Sequence, residues 1–180
     1  MRLSLLLSLL SLMLMSCAPR ASRATAPNNS QAAPLVAPRA VPAEFAAMVA
    51  SVNSVRAKGY DCGVGGRFGA APPLAWNPAL AQAAGDHNRD MLANNLFSHN
   101  GSDGSEPSAR VERRGYTWQL VGENLAYATP GHFTQTSVVE AWLESPGHCA
   151  ILMNADFREI GAAKLTGTFE FWTQVFATRQ

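Results

Sequence analysis

The sequence predicts an α+β fold arranged as a three-layer α-β-α sandwich. Apolar residues recur at helical spacing through much of the body of the chain, whereas the segments 159–165 and 168–177 near its end are rich in β-forming residues. The last segment is apolar on both faces, and a strand of that kind is buried between two layers. Helices that precede a covered antiparallel sheet indicate the α+β class.

Two long helices are predicted at the start of the body. In the first, apolar residues repeat at helical spacing until Gly59 stops the pattern. This stripe consists of Phe45, Met48, Val49, Val52 and Val55. In the second, Asn77 is an N-cap and Pro78 takes the first helical position, so the helix runs from there to about Asn94. Its buried stripe, which includes a histidine expected in the core, consists of Leu80, Ala84, His87 and Met91.

Three shorter helices are expected after these two. One is predicted over residues 107–114, with Ser105 as its cap. Another is predicted over about residues 136–144. Ser145-Pro146 repeats the signal of a cap followed by proline, so a further helical turn begins near Gly147. Each signal is local and predicts where a helix begins, not what the helix contacts.

The end of the chain predicts a β-hairpin. Thr166-Gly167 separates the two β-rich segments and has the composition of a turn. Side chains alternate between the two faces of the second strand. One face carries Phe169, Phe171, Thr173 and Val175, and the other carries Trp172 and Phe176.

The first 16 residues have the pattern of a secretory signal peptide. A charged start is followed by the run Leu3–Met15, which is almost wholly Leu, Met and Ser. This run is shorter than the about 20 apolar residues that a membrane-spanning helix needs. The boundary Leu14-Met15-Ser16-Cys17 resembles a bacterial lipobox, in which the cysteine is acylated before cleavage. An ordinary signal peptide with a chance cysteine is the alternative.

We therefore expect an extracytoplasmic lipoprotein of the bacterial envelope, anchored to the membrane through lipid on Cys17. The residue after the cysteine is Ala18 and not an Asp, which would suggest retention in the inner membrane. The resemblance to bacterial lipoproteins therefore implies the outer membrane in a Gram-negative host. Residues 17–42 form a flexible tether rich in Ala and Pro, and residues 43–180 form the domain. The formal net charge is +1, from 14 basic and 13 acidic residues, and gives no electrostatic footprint for nucleic acid.

Three cysteines are present, and their number fits this assignment. With Cys17 used for lipid, Cys62 and Cys149 remain as a pair in an oxidising compartment, where a disulfide is expected. Zinc binding by this pair is the alternative, although neither residue lies in a CxxC or CxxH spacing.

Four stretches of the body stand out by their order and spacing. They are Phe97-Ser98-His99-Asn100, Gly122-Glu123-Asn124-Leu125-Ala126, the segment from Ala141 to His148, and the segment from Phe171 to Phe176. Arg110 and Gly115-Tyr116 lie between the first two stretches. Together these motifs resemble the CAP superfamily of cysteine-rich secretory, antigen 5 and pathogenesis-related proteins. The resemblance covers nearly the whole body, is strongest to the bacterial branch, and implies the same α-β-α sandwich.

The resemblance also implies an open cleft that holds two histidines and two acidic residues. His99 and His148 match the two histidines, and Glu123 matches the glutamate of the Gly-Glu-Asn motif. The second acidic position falls on Ser145. Glu144 is one residue away, which rotates it by about 100° on a helix, so we expect it to face solvent.

The chemistry of this cleft leaves three functions open. Two neutral imidazoles, His99 and His148, can bind Zn²⁺ or another divalent metal. Glu123 would not bind the metal itself but would fix the tautomer of a metal-binding histidine through a hydrogen bond. The resemblance to the CAP superfamily also implies that the ligand of this cleft is lipidic or derived from the envelope. A hydrolase of peptides or envelope polymers is the second hypothesis, with Ser145 a better nucleophile candidate than Ser98. The third is a non-catalytic interaction module in which these groups form a buried structural network.

Overall fold

The structure is a computed structural model that describes residues 39–180. The predicted signal peptide, the lipidation at Cys17 and most of the predicted tether lie outside the described residues. Within residues 39–180, no helix is both long enough and apolar enough to cross a membrane.

Five helices and six strands make up the described part of the chain. The helices are α1 (Ala43–Lys58), α2 (Pro78–Ala93), α3 (Pro107–Arg113), α4 (Gln135–Glu144) and α5 (Pro146–Met153), with a 3₁₀ turn at Gly63–Gly65. The strands are β1 (Tyr60–Asp61), β2 (Arg67–Phe68), β3 (Ala75–Trp76), β4 (Trp118–Ala128), β5 (Glu159–Thr166) and β6 (Glu170–Arg179).

The four larger strands form one sheet in the order β3-β5-β6-β4. β3 is parallel to β5, and the two other pairs are antiparallel. α2 and α3 pack on one face, where Leu80, Val111 and Val175 of β6 belong to one buried apolar cluster. α1, α4 and α5 pack on the opposite face, where Phe176 is part of their core. The predicted α-β-α sandwich is therefore confirmed, and β6 is the buried central strand that its two apolar faces require.

The predicted helices and strands are confirmed to within two residues, whereas β1, β2, β3 and β4 were not predicted. β4, the longest of these, lies at the edge of the sheet and pairs with β6 along its whole length. Its centre, Gly122-Glu123-Asn124, places two polar side chains where a strand buried on both faces is usually apolar. Because of these polar residues, the segment does not have the apolar pattern from which a buried strand is predicted.

Of the three predicted helix caps, Asn77 is confirmed, Ser145 is confirmed in position but not in its hydrogen bond, and Ser105 is wrong. The side chain of Asn77 accepts hydrogen bonds from the backbone N–H groups of Ala79 and Leu80, as predicted. Ser105 does not cap α3, because that helix begins after Glu106 and has no side-chain cap. Ser145 precedes α5 but makes no capping hydrogen bond, because its hydroxyl contacts a histidine ring instead.

A disulfide joins Cys62 to Cys149, with 5.7 Å between the two Cα atoms. The pairing predicted from the cysteine count is therefore confirmed, and the alternative of zinc binding by these two thiols is excluded. The bond ties the 3₁₀ turn to α5, and the backbone of Gly65 lies directly against Pro146. Because the disulfide closes a loop of 87 residues, it stabilises the fold by roughly 4 kcal/mol in the chain-entropy model.

A fully buried arginine fixes α5 from the other side. Arg56 of α1 is 0% exposed, and its guanidinium group donates to backbone carbonyls instead of pairing with a carboxylate. The four carbonyls belong to Pro72, Leu152, Asn154 and Phe157. Burial, followed by the charge of Arg158, lowers the pKa of Arg56 to about 10. The end of α5 is thus held to α1, and the start of α5 carries the histidine described below.

Candidate functional site

Glu123 lies in the middle of β4, at the centre of the candidate site. It is paired with Val175 of β6, so its side chain lies on the α2 and α3 side of the sheet. Only 1% of this side chain is exposed. A carboxylate at that depth needs charged or hydrogen-bonding partners, since an isolated buried charge is very costly.

Arg110 of α3 supplies the counter-charge. Its Nη2 donates to Oε2 of Glu123 at 2.8 Å, and its Nη1 donates to the carbonyl of Ser105 at 2.6 Å. The side chain of Arg110 is 6% exposed, so both members of the ion pair are buried. Arg110 was predicted only as part of the family motif, and its role as the partner of Glu123 was not predicted.

His99 occupies the other oxygen of the same carboxylate. Its Nδ1 lies 2.9 Å from Oε1 of Glu123, so the neutral ring donates from Nδ1. The side chain of His99 is 53% exposed. The hydrogen bond fixes the tautomer of the ring. Nδ1 carries the proton, and the unprotonated Nε2 has a lone pair with which it can bind a metal.

His148 lies in the first turn of α5, beside the same cleft. Its Nδ1 is 2.9 Å from the hydroxyl of Ser145, and its backbone carbonyl accepts from Nδ2 of Asn124 at 3.2 Å. Burial lowers the pKa of His148, and the nearby charge of His99 lowers it further. Both effects favour the neutral form of the His148 ring.

His87 belongs to this cluster as well, although it was predicted only as a core residue. It is 0% exposed, so its predicted burial is confirmed. Its Nε2 lies 2.8 Å from the carbonyl of Ser98, to which it donates, and 3.9 Å from Oε1 of Glu123. Burial lowers the pKa of His87 and keeps the ring neutral. His87 thereby holds the backbone next to His99 in place.

The comparisons with known proteins agree with this architecture. The family model of the cysteine-rich secretory protein family, CAP, matches residues 49–176. The chain belongs to the CAP family. Within this CAP domain, the family match spans all three residues of the cleft, His99, Glu123 and His148.

Two of the relatives are proteins of Bacillus subtilis. The membrane protein YlbC of Bacillus subtilis is 33% identical over 106 residues, which are 59% of this chain and 29% of the relative. The Bacillus subtilis protein YkwD is 31% identical over 104 residues, which are 58% of this chain and 39% of the relative. The CAP domain thus accounts for well under half the length of the curated relatives it matches.

Solved structures show the same fold. An extracellular protein of Bacillus anthracis that contains an SCP domain superposes with a TM-score of 0.54 at 34% identity, covering 61% of this chain and 35% of that one. An outer surface protein of Borrelia burgdorferi superposes with a TM-score of 0.59 at 22% identity, covering 74% of this chain and 91% of that one. The second likeness concerns the fold alone.

The fourth residue of the cleft is not the acidic residue that the family resemblance implies. Glu144 is exposed, as expected from its rotation on α4, and its side chain makes no hydrogen bond or ion pair within residues 39–180. Ser145 stands in the acidic position and holds Nδ1 of His148 with its hydroxyl. This CAP cleft therefore contains two imidazole rings, one buried carboxylate and one hydroxyl group.

Two of the predicted chemistries can be examined in this geometry. In the described part of the chain, no group of three or more His, Cys, Asp and Glu side chains is arranged to hold a metal ion. A metal in the cleft would therefore have at most two imidazole ligands, His99 and His148, from this region. The hydroxyl of Ser98 accepts from the backbone N–H of Asn100, which accounts for it without catalysis.

Proposed function

We propose that this CAP domain binds a ligand outside the cytoplasm at the cleft formed by His99, Glu123 and His148. Lipid on Cys17 would hold the domain on the bacterial envelope, which in a Gram-negative host is the outer membrane. One observation carries the ligand-binding part of the proposal. The two histidine rings of the cleft each have Nδ1 bonded to a protein group, at 2.9 Å in both cases.

This arrangement supports coordination of a divalent cation such as Zn²⁺. Histidine ligands of metals usually have their second ring nitrogen bonded to a carboxylate, carbonyl or water, which sets the tautomer and the ring orientation. Glu123 performs this role for His99, and the Ser145 hydroxyl contacts the same nitrogen of His148. The lowered pKa of His148 keeps its ring in the neutral form that binds metal.

The number of ligands limits how tightly a metal would be held. Catalytic zinc sites normally have three protein ligands and one open position. Two imidazoles leave at least two positions of a tetrahedral ion for water or for a ligand that brings its own oxygen atoms. The cleft would therefore bind an ion weakly alone and more tightly with an oxygen-rich or anionic ligand, such as an envelope-derived molecule with carboxylate or phosphate groups.

A calorimetric titration of Zn²⁺ into the full-length chain in detergent tests this proposal. The variant His99→Ala/His148→Ala should lose the heat of binding, whereas Glu144→Ala, an exposed residue one position outside the cleft set, should bind as the wild type does. Unchanged affinity in the double variant, together with a lower melting temperature, would show that the cleft is a structural network and would favour the non-catalytic interaction module.

A hydrolase is the second candidate, and one contact favours it. The hydroxyl of Ser145 lies 2.9 Å from Nδ1 of His148, within the distance at which a general base activates a serine. No carboxylate orients His148 within the described residues, so the dyad lacks the third member of a triad. Turnover of a peptide or envelope polymer that Ser145→Ala abolishes, with Zn²⁺ binding retained, would support this candidate.

A further inference from the structure

The sheet has an unpaired edge that the cleft does not use. β3 pairs with β5 at two positions, Ala75 with Glu159 and Trp76 with Ile160. Beyond Ile160, no described strand lies on that side of β5. The carbonyl of Ile160 accepts from the N–H of Asn77, so the peptide groups of Ile160 face this outer edge. Backbone groups alternate along a strand, and those of Ala162 and Lys164 therefore face outward as well.

The edge forms the floor of a groove between two helices. The cavity measures about 470 Å³. Its floor is Ala162, Ala163 and Lys164, and its walls are the start of α1 and the outer side of α2. Trp76 closes one end, where β3 stops.

The two walls differ in chemistry. On the α1 side, Phe45 stacks on Trp76 with ring centroids 5.6 Å apart. On the α2 side, Arg89 and Arg114 both pair with the single carboxylate of Asp86, so this wall has one excess positive charge. The carboxylate of Glu44 lies on the α1 side, so an acidic residue of an added strand is expected to face the α2 wall. Side chains of an added strand alternate between the two walls. An apolar residue would meet the aromatic pair, and the next residue, if acidic, would meet the arginines.

A glycine in α2 keeps the groove open. Gly85 lies in the helix interior, where glycine costs about 1 kcal/mol relative to alanine. A Cβ at this position would lie 3.5 Å from Nη1 of Arg89 and 3.8 Å from Cβ of Ala163, which is ordinary contact. Packing therefore does not require glycine here. The missing side chain instead leaves room above the edge of β5.

We propose that this groove binds an extended peptide of alternating apolar and acidic residues, which adds to β5 as a strand continuing β3. Strand addition of this kind draws affinity from backbone hydrogen bonds and specificity from alternate side chains. The segment just before Pro42 suits the groove poorly, because Pro38 lacks an N–H and Arg39 would add charge of the same sign as Arg89. The inference is independent of the function proposed for the cleft.

A fluorescein-labelled peptide, Gly-Val-Glu-Val-Glu-Val-Gly, provides the test by fluorescence anisotropy with the full-length chain in detergent. We expect saturable binding that Gly85→Ala preserves and Gly85→Leu weakens by roughly tenfold or more, because the larger side chain fills the groove. Arg89→Gln should weaken binding by roughly tenfold through loss of a charge-assisted hydrogen bond.

Two peptide controls keep the test independent of how the variants fold. Methylating alternate backbone nitrogens of the peptide should abolish binding to the wild-type chain, and replacing Glu by Lys should do the same. Absence of saturable binding at millimolar peptide overturns the proposal, as does equal binding of the N-methylated peptide. Equal binding of the lysine peptide would overturn the assignment of an acidic partner.

Discussion

Replacing Arg110 with methionine should destabilise this domain strongly, because it leaves the carboxylate of Glu123 buried without its counter-charge. The two side chains are 6% and 1% exposed, and their atoms are 2.8 Å apart. Removing one partner of a buried ion pair typically costs about 3–5 kcal/mol. That is a large share of the about 5–15 kcal/mol by which domains are usually stable.

The same helix provides a matched control. Arg113 forms an ion pair with Asp103, but those side chains are 59% and 51% exposed. Solvent screens such a pair, so Arg113→Met should change the free energy of unfolding by less than about 1 kcal/mol. Urea denaturation of both variants, followed by tryptophan fluorescence, measures the difference directly.

A second substitution separates the ion pair from general packing damage. If the loss in Arg110→Met comes from an uncompensated charge, adding Glu123→Gln should recover part of the stability. The reasoning would be refuted if Arg110→Met were no more destabilising than Arg113→Met, or if the double variant were as unstable as the sum of its single variants.

Three further predictions concern other parts of the chain. Because the pKa of His148 is lowered from 6.5 in the folded state, its contribution to stability is present above about pH 6.5 and is lost as the pH falls below it. His148→Asn should therefore reduce the loss of thermal stability between about pH 7 and pH 5, and the remaining slope comes in part from His87, whose pKa is lowered as well. Equal slopes for variant and wild type would contradict this. Asn77→Ala should lower the free energy of unfolding in urea by about 1–2 kcal/mol, since it removes the cap of α2; a change near zero would show that the cap is dispensable. Cys17→Ser should move the protein from the membrane fraction to the soluble fraction with the Cys62–Cys149 disulfide intact, and a variant that stays with the membrane would contradict lipidation.

Local signals were sufficient for much of the fold. The caps and stops of α1 and α2 depend on residues within one turn of each helix, and Asn77 and Gly59 mark them clearly. The hairpin of β5 and β6 is likewise marked by its own turn. The disulfide followed from the cysteine count once Cys17 was assigned elsewhere. The ordered motifs predicted that His99, Glu123 and His148 share one cleft, and the first two are hydrogen-bonded to each other.

The missed features depend on contacts between residues far apart in the chain. Arg56 reaches carbonyls about 100 positions away, and no local pattern predicts that arrangement. Glu123 made β4 look unlike a buried strand, because its charge is compensated by Arg110 from another helix. Ser145 has the sequence of a cap, but the ring of His148 three residues later competes for its hydroxyl.

The central claim is that His99 and His148 together present Nε2 atoms to a ligand, each ring being held at Nδ1. Long-range ¹H–¹⁵N NMR spectra of the full-length chain in detergent, with ¹⁵N-labelled histidine, test this directly, because the chain has only four histidines. We predict that His99 is an Nδ1–H tautomer and His87 an Nε2–H tautomer. We further predict that added Zn²⁺ shifts the Nε2 signals of His99 and His148 over the same concentration range while those of His87 stay fixed. Shifts at neither or only one of the two cleft histidines would contradict this claim.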